Sequence, residues 1–196
     1  MIALTEKLKP DIIFPVEHNT IRLLSAHREK LAPLAALPPM PSPEAIDTAG
    51  DKWLLTSILR QEDIPFPETV FVEKDKAIPA TELEKLTYPV LSKPLGYEGG
   101  EGIVLLNNFN ELIEHLNRAQ RLDNIVVQSY IEGYDVGCSV LCLNGEIKAY
   151  TIQKGLAPGP KRFRLPSAVD FIKSDEIYGY IKKINASPEL VRGGKC

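Results

Sequence analysis

A glycine-rich stretch between two apolar runs limits the folds open to this chain more than any other feature. Val90 and Leu91 precede the stretch and residues 103–106 follow it, and both runs have the composition of β-strands. The intervening loop contains four glycines and two acids: Gly96, Glu98, Gly99, Gly100, Glu101 and Gly102. Since a two-residue hairpin turn needs only one or two glycines, we predict two strands joined by a loop longer than a tight turn.

Two uses are open for this loop. Successive backbone N–H groups of a glycine-rich loop can converge on an anion, because no Cβ atom obstructs the approach. The stretch lacks the Gly-Lys-Ser/Thr ending of a Walker motif and does not fit a dinucleotide fingerprint. A phosphate cradle and a flexible surface hairpin are the two alternatives.

Lys93 ends the strand directly before the glycines. A lysine in this position can reach a phosphate as a point charge. The alternative is an edge lysine whose ammonium group extends to water while its aliphatic stem stays on the apolar surface.

The segment 126–135 (Val-Val-Gln-Ser-Tyr-Ile-Glu-Gly-Tyr-Asp) is the third feature. A backbone leaving a strand exposes N–H and C=O groups that can pair with the edge of an adenine, and a carboxylate a few residues later can accept two ribose hydroxyl groups. An ordinary strand and turn with solvated acids is the alternative.

Composition and charge narrow the class of protein. The chain has 196 residues, 44% hydrophobic and 25% charged, which is typical of a globular protein with one large domain or two small ones. A net charge of −3 argues against nucleic acid as a partner, and no apolar run approaches a membrane span or a signal peptide. Three cysteines without a Cys-x-x-Cys pair favour buried, reduced thiols in a cytoplasmic protein, and the three histidines are predicted to lie at the surface.

The remaining pattern predicts an α+β fold with largely antiparallel strands. A short strand at 12–15 and a helix precede a proline-rich boundary at 38–43, and residues 155–171 have the composition of a loop. The other predicted elements are a helix within 47–64, strands at 68–74 and 124–154 with a hairpin turn at Asn144-Gly145, and helices at 79–86, 107–120 and 174–184. We expect Asn108 or Asn110 to cap the helix at 107–120 and Ser174 to cap the last helix.

The combination of these segments resembles the ATP-grasp superfamily over residues 47–155. It consists of Asp51-Lys52 opening a helix, then Ile-Pro-Phe-Pro-Glu-Thr-Val-Phe-Val, then the glycine stretch, then the segment from Val126. The chain looks most like the ATP-binding half of the carboxylate–amine ligase branch, including carbamoyl phosphate synthetase. The resemblance implies an ATP-grasp fold, seen in part, over 47–155. It also implies the remnant of a pre-ATP-grasp α/β domain in 1–40 and the start of a C-terminal subdomain, truncated, in 156–196.

The same resemblance implies roles for individual residues. Lys52 and Lys93 would contact ATP phosphates, and the loop would close over them through Gly99, Gly100 and Gly102. Gln128 stands where the family often has a glutamate that accepts from the adenine amino group. Tyr130 and Ile131 would offer their backbone groups to adenine, and Asp135 would hold the ribose. Lys154 is a further basic residue, at the end of the hairpin, where the family often has one.

The resemblance also implies chemistry for the parent protein. Members of this branch use ATP and Mg²⁺ to activate a small carboxylate as an acyl phosphate for attack by an amine or a similar nucleophile. The family's late metal-binding acid and arginine motif do not appear after residue 155, so we expect this chain to bind ATP without full turnover. A non-catalytic nucleotide-binding regulatory module and a structural interaction domain are the rival functions.

Overall fold

The computed structural model describes residues 1–97, 99–119, 123–143, 146–159, 163, 166–187 and 190. The helices are α1 (Ile2–Leu8), α2 (His18–Ala26), α3 (Arg28–Leu31), α4 (Pro43–Gly50), α5 (Lys52–Gln61), α6 (Ala80–Glu84), α7 (Phe109–Ala119) and α8 (Asp175–Ala186). The strands are β1 (Thr69–Val72), β2 (Val90–Pro94), β3 (Val104–Leu106), β4 (Ile125–Ser129), β5 (Val136–Leu143), β6 (Glu146–Ala157) and β7 (Ala168–Ile172). Within the described residues, none of the helices has the length and apolar character that crossing a membrane requires.

The chain divides into two compact units. The first contains Met1–Gly50, Val140–Tyr150 and the described residues from Tyr178 onward. Its helices α2 and α3 bury Leu24 and Leu31 together with Met40 in a small apolar cluster. The second unit contains Asp51–Ser139 and Thr151–Ile177, and it holds every residue for which the sequence implies a nucleotide contact.

The larger sheet has the strand order β1-β4-β2-β3, and all its neighbouring strands are antiparallel. Successive side chains of a strand point to opposite faces, so each strand sends one set of side chains into the core. On that face the sheet packs its apolar residues against α6 and α7. The buried members of the cluster are Val72, Leu83, Leu86, Val90, Leu106, Leu112, Leu116, Ile125 and Val127.

The second sheet has the order β5-β6-β7. Strands β6 and β7 pair antiparallel with Gln153 opposite Phe171, and the register shifts between Gly155 and Ala157. Such a bulge bends the strand locally. Most side chains of β5 and β7 are exposed.

Several sequence predictions are confirmed. The two apolar runs around the glycines form β2 and β3 and pair with each other. Asn108 caps α7 by accepting a hydrogen bond from the Glu111 N–H, and Ser174 does the same for the Ile177 N–H at the start of α8. These caps supply acceptors for N–H groups that the helix itself leaves unpaired.

Other predictions are wrong, each for a local reason. The single helix expected within 47–64 is divided, because Asp51 leaves helical geometry and its carboxylate caps α5 by accepting from the Trp53 and Leu54 N–H groups. Residues 12–15 form only an isolated bridge from Ile12 to Ala36. The stretch 155–171 is not all loop, since part of it pairs with β6 as β7.

Three further differences concern single features. Helix α1 was not predicted at all. Cys138 and Cys142 form no disulfide within the described residues and are only half-buried, so they do not fill a core. The predicted turn at Asn144-Gly145 lies outside the described residues, as do Glu98 and the three basic residues Lys161, Arg162 and Arg164.

Candidate functional site

The site is built on the face of the larger sheet that turns away from α6 and α7. In β2, Val90 faces the apolar core. The Ser92 hydroxyl oxygen lies 3.0 Å from Nε2 of His115 in α7, and the two groups share a hydrogen bond. Because side chains alternate along a strand, Leu91 and Lys93 lie on the opposite face. The prediction that His115 is a surface residue is therefore wrong, since its ring is half-buried against the strand.

Lys93 has a specific partner on the central strand β4. Its Nζ donates to Gln128 Oε1 at 2.6 Å, although Lys93 itself is paired in register with Val126. Diagonal neighbours on one face of a sheet are within reach of long side chains. Burial, followed by the nearby positive charge of Lys52, lowers the pKa of Lys93 below its ordinary value, so an anion beside this ammonium group would be strongly favoured.

Gln128 is held from its other side by β1. Its Nε2 donates to Thr69 Oγ1 at 3.0 Å, and Thr69 is directly opposite in the register of β1 and β4. The amide of Gln128, only 9% exposed, therefore has a defined orientation with its oxygen toward Lys93.

Lys52 is the first residue of α5, directly after the cap Asp51. Its Nζ donates to the backbone oxygens of Tyr97 at 2.9 Å and Pro94 at 3.3 Å. These two carbonyl groups belong to the entry of the glycine loop, so Lys52 ties α5 to the loop.

The glycine loop has the backbone conformation that its composition predicts. All four glycines have positive φ angles, for example +80° at Gly100 and +72° at Gly102, which residues with a Cβ rarely adopt. A Cβ at Gly100 would lie 1.8 Å from the Phe163 backbone oxygen, and one at Gly102 would lie 2.7 Å from Pro94 Cγ. Space and conformation both require glycine at these two positions.

A cavity of about 540 Å³ lies in the second unit, within the size range of small-molecule sites. The loop residues Gly99 and Gly100 form part of its wall, and Asp135 is the acidic residue among those that line it. The remaining wall is mostly apolar and consists of Val136, Gly137, Gln153, Phe163, Pro166, Val169 and Phe171.

The segment after β4 connects the two parts of the site. The Tyr130 N–H donates to the Pro89 oxygen at 2.8 Å, and the Tyr130 ring meets the cavity residue Phe163 edge-on at 6.5 Å between centroids. The Tyr130 N–H is thus occupied within the protein, whereas Ile131, 69% exposed, has no hydrogen-bond partner for its N–H in the described part of the chain.

Lys154 takes a different position from the other predicted site residues. Its Nζ lies 4.0 Å from the centroid of the Tyr134 ring, in a cation–π contact. Its neighbour Gln153 lines the cavity, so alternation along β6 places Lys154 on the opposite face of the strand.

The structure therefore gathers the predicted residues into two groups. Lys52, Lys93 and Gln128 form a hydrogen-bonded and electrostatic group on the larger sheet, while Gly99, Gly100 and Asp135 line the cavity. Sequence reasoning missed Thr69 and Phe163. The partner of Gln128 depends on the strand order, which no local pattern records, and an aromatic residue between basic ones gives little sign that its backbone oxygen will contact a glycine.

Carboxylate and imidazole ligands for a metal ion are sparse. Among the described residues, no three His, Cys, Asp or Glu side chains gather in a way that could hold an ion. Mg²⁺ in nucleotide sites is commonly bound by one or two carboxylates together with the phosphates of the substrate. The finding therefore concerns only sites built from three or more such side chains of the described residues.

Comparison with known proteins places the chain in a family. The sequence matches the model of the ATP-grasp domain over residues 49–163. D-alanine–D-alanine ligase A of Bacillus cereus is 33% identical over 92 residues, which cover 46% of this chain and 31% of the ligase. The match thus spans less than a third of that relative's length.

Solved structures show the same fold. A D-alanine–D-alanine ligase from Bacillus anthracis, complexed with ATP, superposes with a TM-score of 0.64 at 20% identity and covers 96% of this chain and 61% of its own. The biotin carboxylase domain of a Hydrogenobacter thermophilus 2-oxoglutarate carboxylase, complexed with MgADP, has a TM-score of 0.70 at 19% identity, covering 97% of this chain and 44% of its own.

Because the family model matches more than half of the 196 residues, the chain belongs to the ATP-grasp family. The resemblance inferred from the sequence is confirmed, and so is the α+β ATP-grasp fold.

Proposed function

We propose that this chain is the nucleotide-binding region of an ATP-dependent carboxylate–amine ligase. The parent enzyme would activate a small carboxylate as an acyl phosphate and transfer the acyl group to an amine or a similar nucleophile. The proposed domain limits are 47–155 for nucleotide binding, 1–40 for the end of the preceding α/β domain, and 156–196 for the start of the C-terminal subdomain. A cytoplasmic location is part of the same proposal.

The observation that carries this proposal is the environment of Lys93. The Lys93 ammonium group is half-buried and donates only to a neutral amide among the described residues, so its charge is not balanced there. The nearby Lys52 increases the positive potential, and the backbone of the glycine loop adjoins the cavity. A polyphosphate is a ligand that these features together would stabilise.

Each predicted residue has a role in this proposal. Lys93 and Lys52 contact phosphate oxygens, for which Lys52 exchanges its bonds to the loop carbonyl groups. Gly99, Gly100 and Gly102 bring backbone N–H groups close to the phosphates. The Tyr130 N–H is already bonded, so this residue offers only its carbonyl group to adenine, and Ile131 offers its N–H.

Three roles complete the site. Gln128 accepts from the adenine amino group through the second lone pair of its oxygen, and Asp135 accepts from the ribose hydroxyl groups. Lys154 is proposed as a further basic contact, which requires it to leave the Tyr134 ring. Any Mg²⁺ would be held chiefly by the phosphates, since the described residues lack a cluster of ligands.

We further propose that these 196 residues bind ATP without sustained turnover. Phosphoryl transfer depends on positioning together with charge neutralisation by metal ions and cations. The described residues supply the lysines for binding but no gathered acids for a metal ion.

The test is a pair of measurements on the 196-residue protein with magnesium. ATP binding is measured by calorimetry, and ADP release is followed with a panel of carboxylates and amines. Binding without ADP release supports the proposal. Absence of binding would favour the structural interaction domain, and sustained ADP release that Lys93→Ala abolishes would show that the chain contains a complete catalytic site.

A further inference from the structure

A continuous series of hydrogen bonds leads from β1 to the half-buried Lys93. The Thr69 hydroxyl donates to the Pro67 backbone oxygen at 2.7 Å, so its proton is committed and its oxygen acts as an acceptor. Gln128 Nε2 donates to that oxygen at 3.0 Å. Gln128 Oε1 then accepts from Lys93 Nζ at 2.6 Å.

The direction of every bond in this series is fixed by chemistry. Pro67 offers only a carbonyl acceptor, and Lys93 offers only donors. The amide between them therefore has one arrangement that satisfies both ends. A flipped Gln128 amide would place N–H groups against the ammonium group and an oxygen against an oxygen whose proton is already engaged.

We propose that Thr69 is a positioning residue for nucleotide binding, which acts by fixing the Gln128 amide so that its oxygen holds the Lys93 ammonium group. This inference rests on the proposed nucleotide site, and it adds a residue of β1 that has no direct contact with Lys93. The group that holds Lys93 in place is the neutral amide of Gln128. The positive charge of Lys93 is therefore not compensated by Gln128 and acts on the ligand.

The effect of replacing Thr69 should depend on the side chain at position 128. A glutamate at position 128 has two equivalent oxygens and no N–H, so it needs no acceptor from Thr69 to present an oxygen to Lys93. Replacement of Thr69 should therefore matter with an amide at position 128 and matter little with a carboxylate there.

The first experiment needs no nucleotide. The pKa of Lys93 is measured by NMR on ¹³C-labelled lysine in the free protein, with Lys93→Arg to assign the signal. In Thr69→Val the amide loses its acceptor and leaves the lysine, so we expect the Lys93 pKa to fall further, whereas Thr69→Ser should keep the wild-type value. An unchanged Lys93 pKa in Thr69→Val would overturn the inference, because Lys93 alone would then fix the amide.

A second pair of variants applies even if Thr69→Val does not fold. Gln128→Glu should raise the Lys93 pKa through the added negative charge. Thr69→Val/Gln128→Glu should give the same Lys93 pKa as Gln128→Glu alone. A difference between the two would show that Thr69 acts on Lys93 by another route, and would overturn the inference.

The nucleotide measurements separate this inference from the proposed function. Thr69→Val should weaken ATP binding by up to about tenfold and weaken adenosine binding less, while Thr69→Ser should bind ATP as the wild type does. Equal losses for ATP and adenosine would overturn the link from Thr69 to the phosphate-binding lysine. If the wild type binds no ATP, the proposed function fails, and the Lys93 pKa values still decide whether the series of hydrogen bonds exists.

Discussion

The two sheets of this protein differ in how they use their side chains. Every residue of the inner strand β4 is buried, and Gln128, one of its two polar residues, has partners on both neighbouring strands. In the β5-β6-β7 sheet most side chains are exposed, and Phe171 at 67% exposure lies on the cavity wall. The first sheet thus supplies both a core and a prearranged polar group, whereas the second supplies part of the wall of the cavity.

The largest difference between the two sheets should be in how much a substitution reduces the free energy of unfolding. Leu112, fully buried beneath the first sheet, should lose about 2–5 kcal/mol of unfolding free energy when replaced by alanine, because a cavity is left in packed surroundings. Phe171→Ala in the second sheet is the control and should change the unfolding free energy by less than about 1 kcal/mol. Most of the Phe171 side chain is exposed already, so its removal takes little apolar area out of the protein interior. Urea unfolding of both variants measures the contrast, and similar losses would show that the second sheet also has a core.

The next effect concerns two glycines of the same loop. Gly96→Ala meets no atom within 4 Å and has φ +83°, so it should cost about 1–2 kcal/mol for the left-handed backbone alone. Gly100→Ala has a similar φ but would bring Cβ to 1.8 Å from the Phe163 oxygen, so the loop has to move. We expect a larger loss of both stability and ATP affinity for Gly100→Ala, measured by thermal unfolding and calorimetry. Equal effects would mean that Phe163 moves freely.

Lys93→Ala tests the polar group on the first sheet. A hydrogen bond to a charged group contributes roughly 1.5–3 kcal/mol, so ATP binding should weaken by that amount and adenosine binding should change little. Lys148→Ala is a suitable control, because this lysine pairs with Glu146 in β6 and lies outside the site. Calorimetric titrations with both ligands distinguish a phosphate contact from a general loss of structure, which would weaken the two ligands equally.

Features with local causes were predictable from the sequence. The long glycine loop was predictable because positive φ angles select glycine, and the Asn108 cap because its side chain satisfies an N–H group three residues away. The order of the segments along the chain was enough to indicate the ATP-grasp domain. Each of these signals lies within a few consecutive residues.

Features that depend on pairing between distant segments were not predictable. Thr69 meets Gln128 only because β1 lies beside β4 in the sheet, and nothing near Thr69 in the sequence marks it. The prolines around β7 favour a loop, yet the pairing of β7 with β6 stabilises an extended backbone there. The half-buried position of His115 follows from the packing of α7 on Ser92.

A smaller effect is expected in the dynamics of the glycine loop. The sequence of residues 96–102 contains few apolar side chains that could pin the loop, and glycines lose much conformational freedom when ordered. Amide hydrogen exchange of this segment should slow at saturating ATP, whereas exchange in β4 should stay slow throughout. Exchange in the loop that ATP does not change would argue for a surface hairpin with no part in binding.

The smallest expected effect is a pH dependence from the core side of β2. Burial, followed by the positive charge of Arg118, lowers the pKa of His115 below its ordinary value of 6.5, so the unfolded chain binds a proton more readily than the folded one. Stability should therefore fall as the pH drops through about 6.5 and change little above it.

His115→Gln keeps a group able to bond the Ser92 hydroxyl without titrating, and should reduce the difference in unfolding free energy between pH 5 and pH 8. Since the ring is only half-buried, solvent limits the size of this change. An equally large difference between pH 5 and pH 8 in the variant would contradict the assignment to His115. The carboxylate of Glu68, whose pKa is lowered by hydrogen bonds from the backbone and side chain of Thr87 and from Ser129, loses its contribution only below its ordinary pKa, outside this pH range.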